Sequence, residues 1–301
     1  MPSLKTLRNR INSVKSTQKI TSAMKMVAAA KLRRAQAQAE AGRPYACRMG
    51  EMLAALAVAE FSNPNAPALL VGRPNAKTHL LVAVTADRGL AGGFNANIAK
   101  AVRLQAKALE SQGKIVKIFA LGRKGFEALR RDLGDQIAGT KNFVGKKIIS
   151  FQDAEDVAKE LIRGFKAGEY DAVTLVFNRF VNIMTQKPTE QALIPAVAPT
   201  ANDNRRSEQT GQLAATEHNY EVEPDDGTLL ERLLPRNLAV QLYSALLDNS
   251  AGFYAAQMTA MDSATRNAGE MIKKLSLNYN RARQANITKE LIEIISGAEA
   301  V

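Results

Sequence analysis

From residue 4 onward the apolar positions fall three and four apart. Leu4, Leu7, Ile11, Val14, Gln18, Thr21, Met24 or Lys25, and Ala28 keep this spacing, which is the narrow seam of a coiled coil rather than the wider stripe of a helix on a globular core. Residues 4–41 contain no Gly, no Pro occurs between Pro2 and Pro44, and Ser3 stands where an N-cap belongs. The pattern predicts a helix about 60 Å long, in want of a partner. "GRPYA" (42–46) predicts a kink or interruption, after which "RMGEMLAALAVAEF" resumes helically.

At Thr78 the period changes. "THLLVAVT" (78–85) is a short apolar run, "NANIAKAVRLQAKALESQ" (95–112) is helical, "KIVKIFALG" (114–122) is strand-like and "GRKGFEALRRDL" is helical again. "DAEDVAKELIRGFKAG" (153–168) and "DAVTLVFNRF" (171–180) continue the alternation, so residues 76–199 read as a small α/β domain with a mostly parallel, Rossmann-like sheet. The polar stretch 200–226 follows as a loop. Residues 227–301 are helical, and Phe253, Gln257, Ala260 or Met261, Ala264, Ala268, Met271, Leu275, Asn278, Ala282 and Ala285 repeat the 3-4 spacing. Here is the missing partner for the helix within residues 1–60. The fold class expected is therefore a long antiparallel, left-handed coiled coil of N- and C-terminal helices with an α/β domain inserted between them. Gln257 and Asn278 are expected to set its register.

Charge sharpens the first helix. The 301-residue chain carries +12, yet residues 1–50 alone hold eleven Lys or Arg against one acid, Glu40. A charged solvated helix face normally shows both signs, so the surplus asks for an acidic partner. Nucleic acid is one candidate, but residues 1–44 contain no Phe, Tyr or Trp on which bases could stack. The Met and Ala seam implies burial against protein instead. No apolar run approaches the roughly 18 residues of a membrane span. The N-terminus has no apolar signal-peptide core. Cys47 is the only cysteine, which excludes an intrachain disulfide, and it reads as a small buried side chain.

Catalytic chemistry finds little support. "TADRGLAGGFNAN" (85–97) sits where nucleotide-binding folds cradle phosphate, but Gly89, Gly92 and Gly93 fit neither GxGxxG nor GxxxxGK[ST]. It reads as a tight βα connection with Asp87 and Arg88 in local hydrogen bonds. His79 and His218 lack neighbours at metal-ligand spacing. Asp225 and Asp226 lie in the turn-like "EPDDG". Neither cofactor nor metal nor catalytic residue is expected. A nucleic-acid-binding coiled coil and, behind it, a nucleotide-dependent α/β enzyme remain the alternatives at this point.

"KITSAMKMVAAAK" (19–31), "RPYA" (43–46), "TADRGLAGGFN" (85–95) and above all "YNRARQANITKELIEIISGAEAV" (279–301) resemble the gamma-subunit family of F-type, proton-translocating ATP synthases. Ile287, Thr288, Glu290, Glu293, Gly297 and Ala298 meet the C-terminal motif. The resemblance implies a rotor shaft without an active site. Its coiled coil penetrates a ring of three alpha and three beta subunits, and its α/β domain sits outside, near the membrane. Epsilon and the membrane ring of c subunits are implied partners, with an inhibitor protein a further candidate and nucleic acid none. It further implies beta-subunit contacts through Arg283, Gln284 and Thr288, and an electrostatic handle for an acidic segment of beta in Lys19, Lys25, Lys31, Arg33 and Arg34. "YEVEPDDGTLL" (220–230) resembles the family's foot, so Tyr220, Glu223 and Asp225 become candidates for epsilon and ring contacts. Val222 and Glu223 before Pro224 depart from the common aromatic-Glu-Pro-Asp form. With no presequence, a bacterial protein peripheral to the cytoplasmic side of the inner membrane is expected.

Overall fold

The computed structural model describes residues 3–60, 66–73, 76–146, 148–196 and 226–299. Tyr220, Glu223, Asp225, His218 and the polar loop from residue 200 lie outside them. Helices α1 (Leu4–Glu60) and α2 (Ala68–Val71) precede β1 (Thr78–Val84). Then come α3 (Phe94–Ser111), β2 (Ile115–Leu121), α4 (Arg123–Leu133), β3 (Ile137–Lys141), α5 (Phe151–Ala167), β4 (Ala172–Phe180), β5 (Gln186–Ile194) and α6 (Asp226–Glu299). By contact density the chain divides into two compact units, one of residues 1–31 with 257–301 and one of residues 32–256.

In the first unit α1 and α6 run antiparallel. Ser3 caps α1, its hydroxyl accepting from the Thr6 N–H at 3.2 Å. Gln18 lies against Gly269, the Thr21 and Thr265 hydroxyls are 2.8 Å apart, and Lys25 meets Asp262, so one number falls as the other rises. Leu7, Ile11, Thr21 and Ala28 are buried, and Met24 rather than Lys25 turns inward. On α6 the expected seam holds at Leu275 and Ala282, which are half-buried, and needs correction at Met271, Asn278 and Ala285, which are exposed; Ile272 and Tyr279 are half-buried in place of Met271 and Asn278. A helix of 3.6 residues per turn drifts by about 20° per heptad against a 3.5 repeat, enough to hand the seam to the next residue. Register is therefore marked by the buried Thr21 and its partner Thr265, not by Asn278.

In the second unit the sheet order is β3-β2-β1-β4-β5, parallel throughout except that β5 runs antiparallel to β4. Central β1 is a continuous apolar run because both faces are covered. Leu80, Val82 and Val84 join a core with α5, with Met49, Leu53 and Leu56 of α1, and with Leu230, Leu234, Leu238 and Leu242 of α6. Leu81 and Ala83 point the other way, into a core built on Ile98 and Val102 of α3, Leu129 of α4 and Phe253 of α6. Each of these Val, Leu, Ile, Met and Phe side chains contributes roughly 1.5–3 kcal/mol by leaving water.

The expected interruption at "GRPYA" is absent: α1 runs through Pro44. Proline deletes the one backbone bond that would reach the Glu40 carbonyl, a loss of about 3 kcal/mol at most sites. Burial of Met49, Leu53 and Leu56 beyond it keeps the helix on the core. Cys47 is exposed, contrary to expectation, because it falls between the inward positions Ala46 and Met49.

Arg73 and Asp171 lock the segment before β1 to the far end of α5. Arg73 donates to the Phe165 carbonyl at 2.8 Å, stacks over the Phe165 ring and pairs with Asp171 at 3.5 Å. The Asp171 carboxylate accepts from the N–H groups of Lys77 and Thr78, both at 3.0 Å. These amides, that of Thr78 foremost, hold its carboxyl below the ordinary 3.8 despite partial burial, and Arg73 adds to the effect. Its contribution to stability is thus complete above pH 3.8 and is lost as pH falls through the lowered value. Asp171→Asn is expected to cost about 2 kcal/mol near neutrality. In urea unfolding the gap between variant and parent should narrow as pH falls through the lowered value; an unchanged gap in acid would refute the linkage.

Candidate functional site

The 85–97 connection leaves the carboxyl end of β1, the place where doubly wound sheets bind ligands. Asp87 fills it. Its Oδ1 accepts from the Arg123 N–H that opens α4 at 2.8 Å, and its Oδ2 accepts from the Phe143 N–H at 2.9 Å. A carboxylate thus takes the helix amide that a phosphate oxygen would need, and puts negative charge beside it. The sequence expectation of local bonding holds for Arg88, whose carbonyl accepts from the Asn95 amide at 3.2 Å. For Asp87 it needs correction, since its partners stand 36 and 56 residues away. Thr85 finishes the clamp, donating to the Leu121 carbonyl and accepting from the Gly125 N–H at 2.8 Å.

His79 of β1 is half-buried, with Nε2 2.8 Å from the Thr174 hydroxyl. Burial, and then the charge of Lys114, lower its pKa below 6.5. Among the described residues no three His, Cys, Asp or Glu side chains gather as metal ligands.

The basic positions singled out in the sequence are on the surface. Lys19 and Lys25 of the coil unit are exposed, as are Arg33 and Arg34 of the second unit, while Lys31 is half-buried. Lys25 is engaged within its unit. Its Nζ lies 2.6 Å from Asp262, which Arg266 also contacts at 3.1 Å. The hydrogen bond from Lys25 holds the Asp262 carboxyl below its ordinary value, with Arg266 adding to the effect. An Asp at 262 with Arg at 266 is visible in sequence as a helical i,i+4 pair, but Lys25 stands 237 residues away. The residues of the coil unit hold thirteen Lys or Arg against five acids, a large positive surplus.

The carboxyl end of α6 differs. The register set by Gln18, Thr21 and Lys25 brings Leu4, the first residue of α1, opposite Ala282 or Arg283. Ala282 is the last half-buried position, and residues 283–292 are all exposed. Arg283 therefore stands at the edge of the part of α6 that α1 reaches, and Gln284 and Thr288 lie beyond it, Thr288 donating to the Gln284 carbonyl one turn back. Ile287, Leu291, Ile292, Ile294 and Ile295 are exposed on the same stretch, Ile294 by 68%.

A chain that has both a two-helix coil and a β3-β2-β1-β4-β5 sheet is matched among known proteins. The family model described as ATP synthase covers residues 3–301. The ATP synthase gamma chain of Acidiphilium cryptum (strain JF-5) is 65% identical over 302 positions, spanning 100% of both chains. The chain belongs to the ATP synthase gamma-chain family. The gamma chain of Granulibacter bethesdensis is 56% identical, again over 100% of both. Among solved structures, a chain of the Tetrahymena thermophila mitochondrial ATP synthase central stalk and c-ring is 26% identical, with a TM-score of 0.60 over 81% of this chain and 99% of that one. A chain of the Euglena gracilis mitochondrial OSCP/F1/c-ring assembly shares the fold at a TM-score of 0.67, covering 99% of this chain and 94% of that one at 20% identity. Gamma chains are stalk components of the synthase and not its catalytic subunits. No helix among the described residues is long and apolar enough to cross a membrane.

Proposed function

We propose that this chain is the turning shaft that carries proton-driven rotation of a membrane ring to the catalytic sites on the beta subunits of a bacterial ATP synthase. Alpha and beta surround the coil unit, while epsilon and the c-ring lie towards the foot, through Tyr220, Glu223 and Asp225. One asymmetric shaft inside a pseudo-threefold ring presents a different face to each catalytic site, and turning it moves each site in sequence through unlike environments. The observation that carries this reading is the unpaired end of α6. Its apolar side chains, exposed from Ile287 to Ile295, fit a bearing of non-directional contacts that resist rotation little. Arg283, Gln284 and Thr288 beside them supply polar contacts to beta that form and break each turn. A charge-assisted bond from Arg283 is the stronger of these.

The test is replacement. A bacterial host whose own gamma chain is deleted should recover ATP synthesis in inverted membrane vesicles when given this chain. A cysteine at Thr288, in a chain with Cys47 changed to Ser, should form a disulfide with an engineered cysteine on beta. Alpha and beta subunits missing from the purified material would sink the reading.

A further inference from the structure

A groove in the second unit is unexplained by the shaft alone. Ala39, Gly42 and Ala46 form one face of α1, and three such small residues leave it thin opposite Val240 and Leu247 of α6. Even a Cβ added to Gly42 would only just touch Leu247, at 3.9 Å. Phe151, at the start of α5, and Tyr243 close the side, their rings edge to face at 5.7 Å. The cavity so enclosed measures about 290 Å³ and is lined mainly by carbon.

Its rim is positive. The Arg236 guanidinium stands 4.4 Å over the Phe151 ring, and this stacking holds the cation at the mouth without neutralising it. Among the described residues Arg236 makes no ion pair. Exposed Arg232 lies one helical turn away on α6, and exposed Arg43 adjoins Gly42 on α1. Tyr45 and Ser244, both exposed, complete the rim with hydroxyl groups. An apolar hole of side-chain size under a fixed cation suits an anchor residue with an acid close by.

We propose that the groove receives a segment of another synthase subunit, which inserts an aromatic or branched apolar side chain into the cavity and sets a carboxylate against Arg236. This rests on the reading of the chain as a subunit of an assembled synthase. Charge complementarity favours an acidic protein segment, since the mouth carries the Arg236 guanidinium with the Tyr45 and Ser244 hydroxyls, and exposed Arg232 and Arg43 lie near it on α6 and α1.

The experiment installs p-benzoyl-phenylalanine in place of Ser244 in the full chain, and irradiates the purified, assembled synthase. The expected result is an adduct with a different subunit, at a peptide carrying a carboxylate within two residues of an apolar side chain. Arg236→Glu should lower adduct yield about tenfold, while Arg236→Lys retains most of it. Adducts only within this chain, with a second copy of it, or with a small molecule or lipid would overturn the proposal, as would a yield indifferent to Arg236→Glu. A synthase that fails to assemble around the parent chain counts against the shaft itself, whereas assembly without the adduct counts against the groove alone.

Discussion

Replacing Gly122 by alanine is expected to lower the thermal unfolding midpoint of the chain by about 10 °C. Gly122 joins β2 to α4 with φ +98° and ψ 136°, a combination that side chains avoid. A Cβ there would stand 2.4 Å from the Thr85 carbonyl oxygen and 2.7 Å from its hydroxyl. Neither atom is free to retreat. The Thr85 N–H donates to the Leu121 carbonyl at 2.8 Å, and its hydroxyl is committed to Leu121 and Gly125. Strain and displacement together should cost about 3 kcal/mol or more. Gly134 is the internal comparison: its φ is −56° and nothing lies within 4 Å of an added Cβ, so Gly134→Ala should leave the midpoint nearly unchanged. Scanning calorimetry on the two variants decides the matter, and equal midpoints would refute the close-approach argument.

The second large effect concerns coupling. Reversing Arg33 and Arg34 to Glu should lower proton-driven ATP synthesis in membrane vesicles roughly tenfold, the equivalent of about 1.4 kcal/mol in a barrier. Assembly should survive, since both side chains are exposed and away from the seam. Lys25 must be treated apart. Lys25→Glu would face Asp262 at the distance of the present ion pair, so it weakens the coil as well as any handle. The double variant Lys25→Glu with Asp262→Lys restores the pair in reverse. If it recovers coil stability but not synthesis, Lys25 acts on a partner; if it recovers both, its role is to hold α1 to α6. Full synthesis by the Arg33 and Arg34 variant would end the idea of an electrostatic handle at those positions.

Much of the fold was legible because long patterns average out local ambiguity. A 3-4 spacing kept from Leu4 to Ala28 and again from Phe253 to Ala285 reads as a coil, and β1, β2 and β4 read as apolar runs because parallel strands are buried on both faces. What escaped is at the edges. β3 is five residues of small and mixed type, and β5 carries Pro188 among polar neighbours, which an edge strand tolerates because one side of its ladder is empty. Beyond Ala268 the seam was legible at Leu275 and Ala282 but missed by one residue at Ile272 and Tyr279, since drift makes adjacent positions nearly equivalent there. At the candidate site, the sequence picked out exposed groups but not their partners. Asp262 and the amides that bind Asp87 are brought near only by the finished fold. The groove beneath Arg236 left no trace either, for Ala39, Gly42 and Ala46 read as ordinary helix formers and a glycine.

The unequal reach of α1 and α6 bears on how such a chain survives before it has neighbours. Five isoleucine and leucine side chains stand in water on one bare helix end, beside the basic Arg283. Contiguous apolar surface of that kind is an aggregation liability in a free polypeptide. The residues proposed above as a bearing inside a ring are the ones that would make the free chain sticky outside one. On the proposed reading solubility and function are opposed at this end of the molecule, and early covering of it by neighbouring subunits would reconcile them.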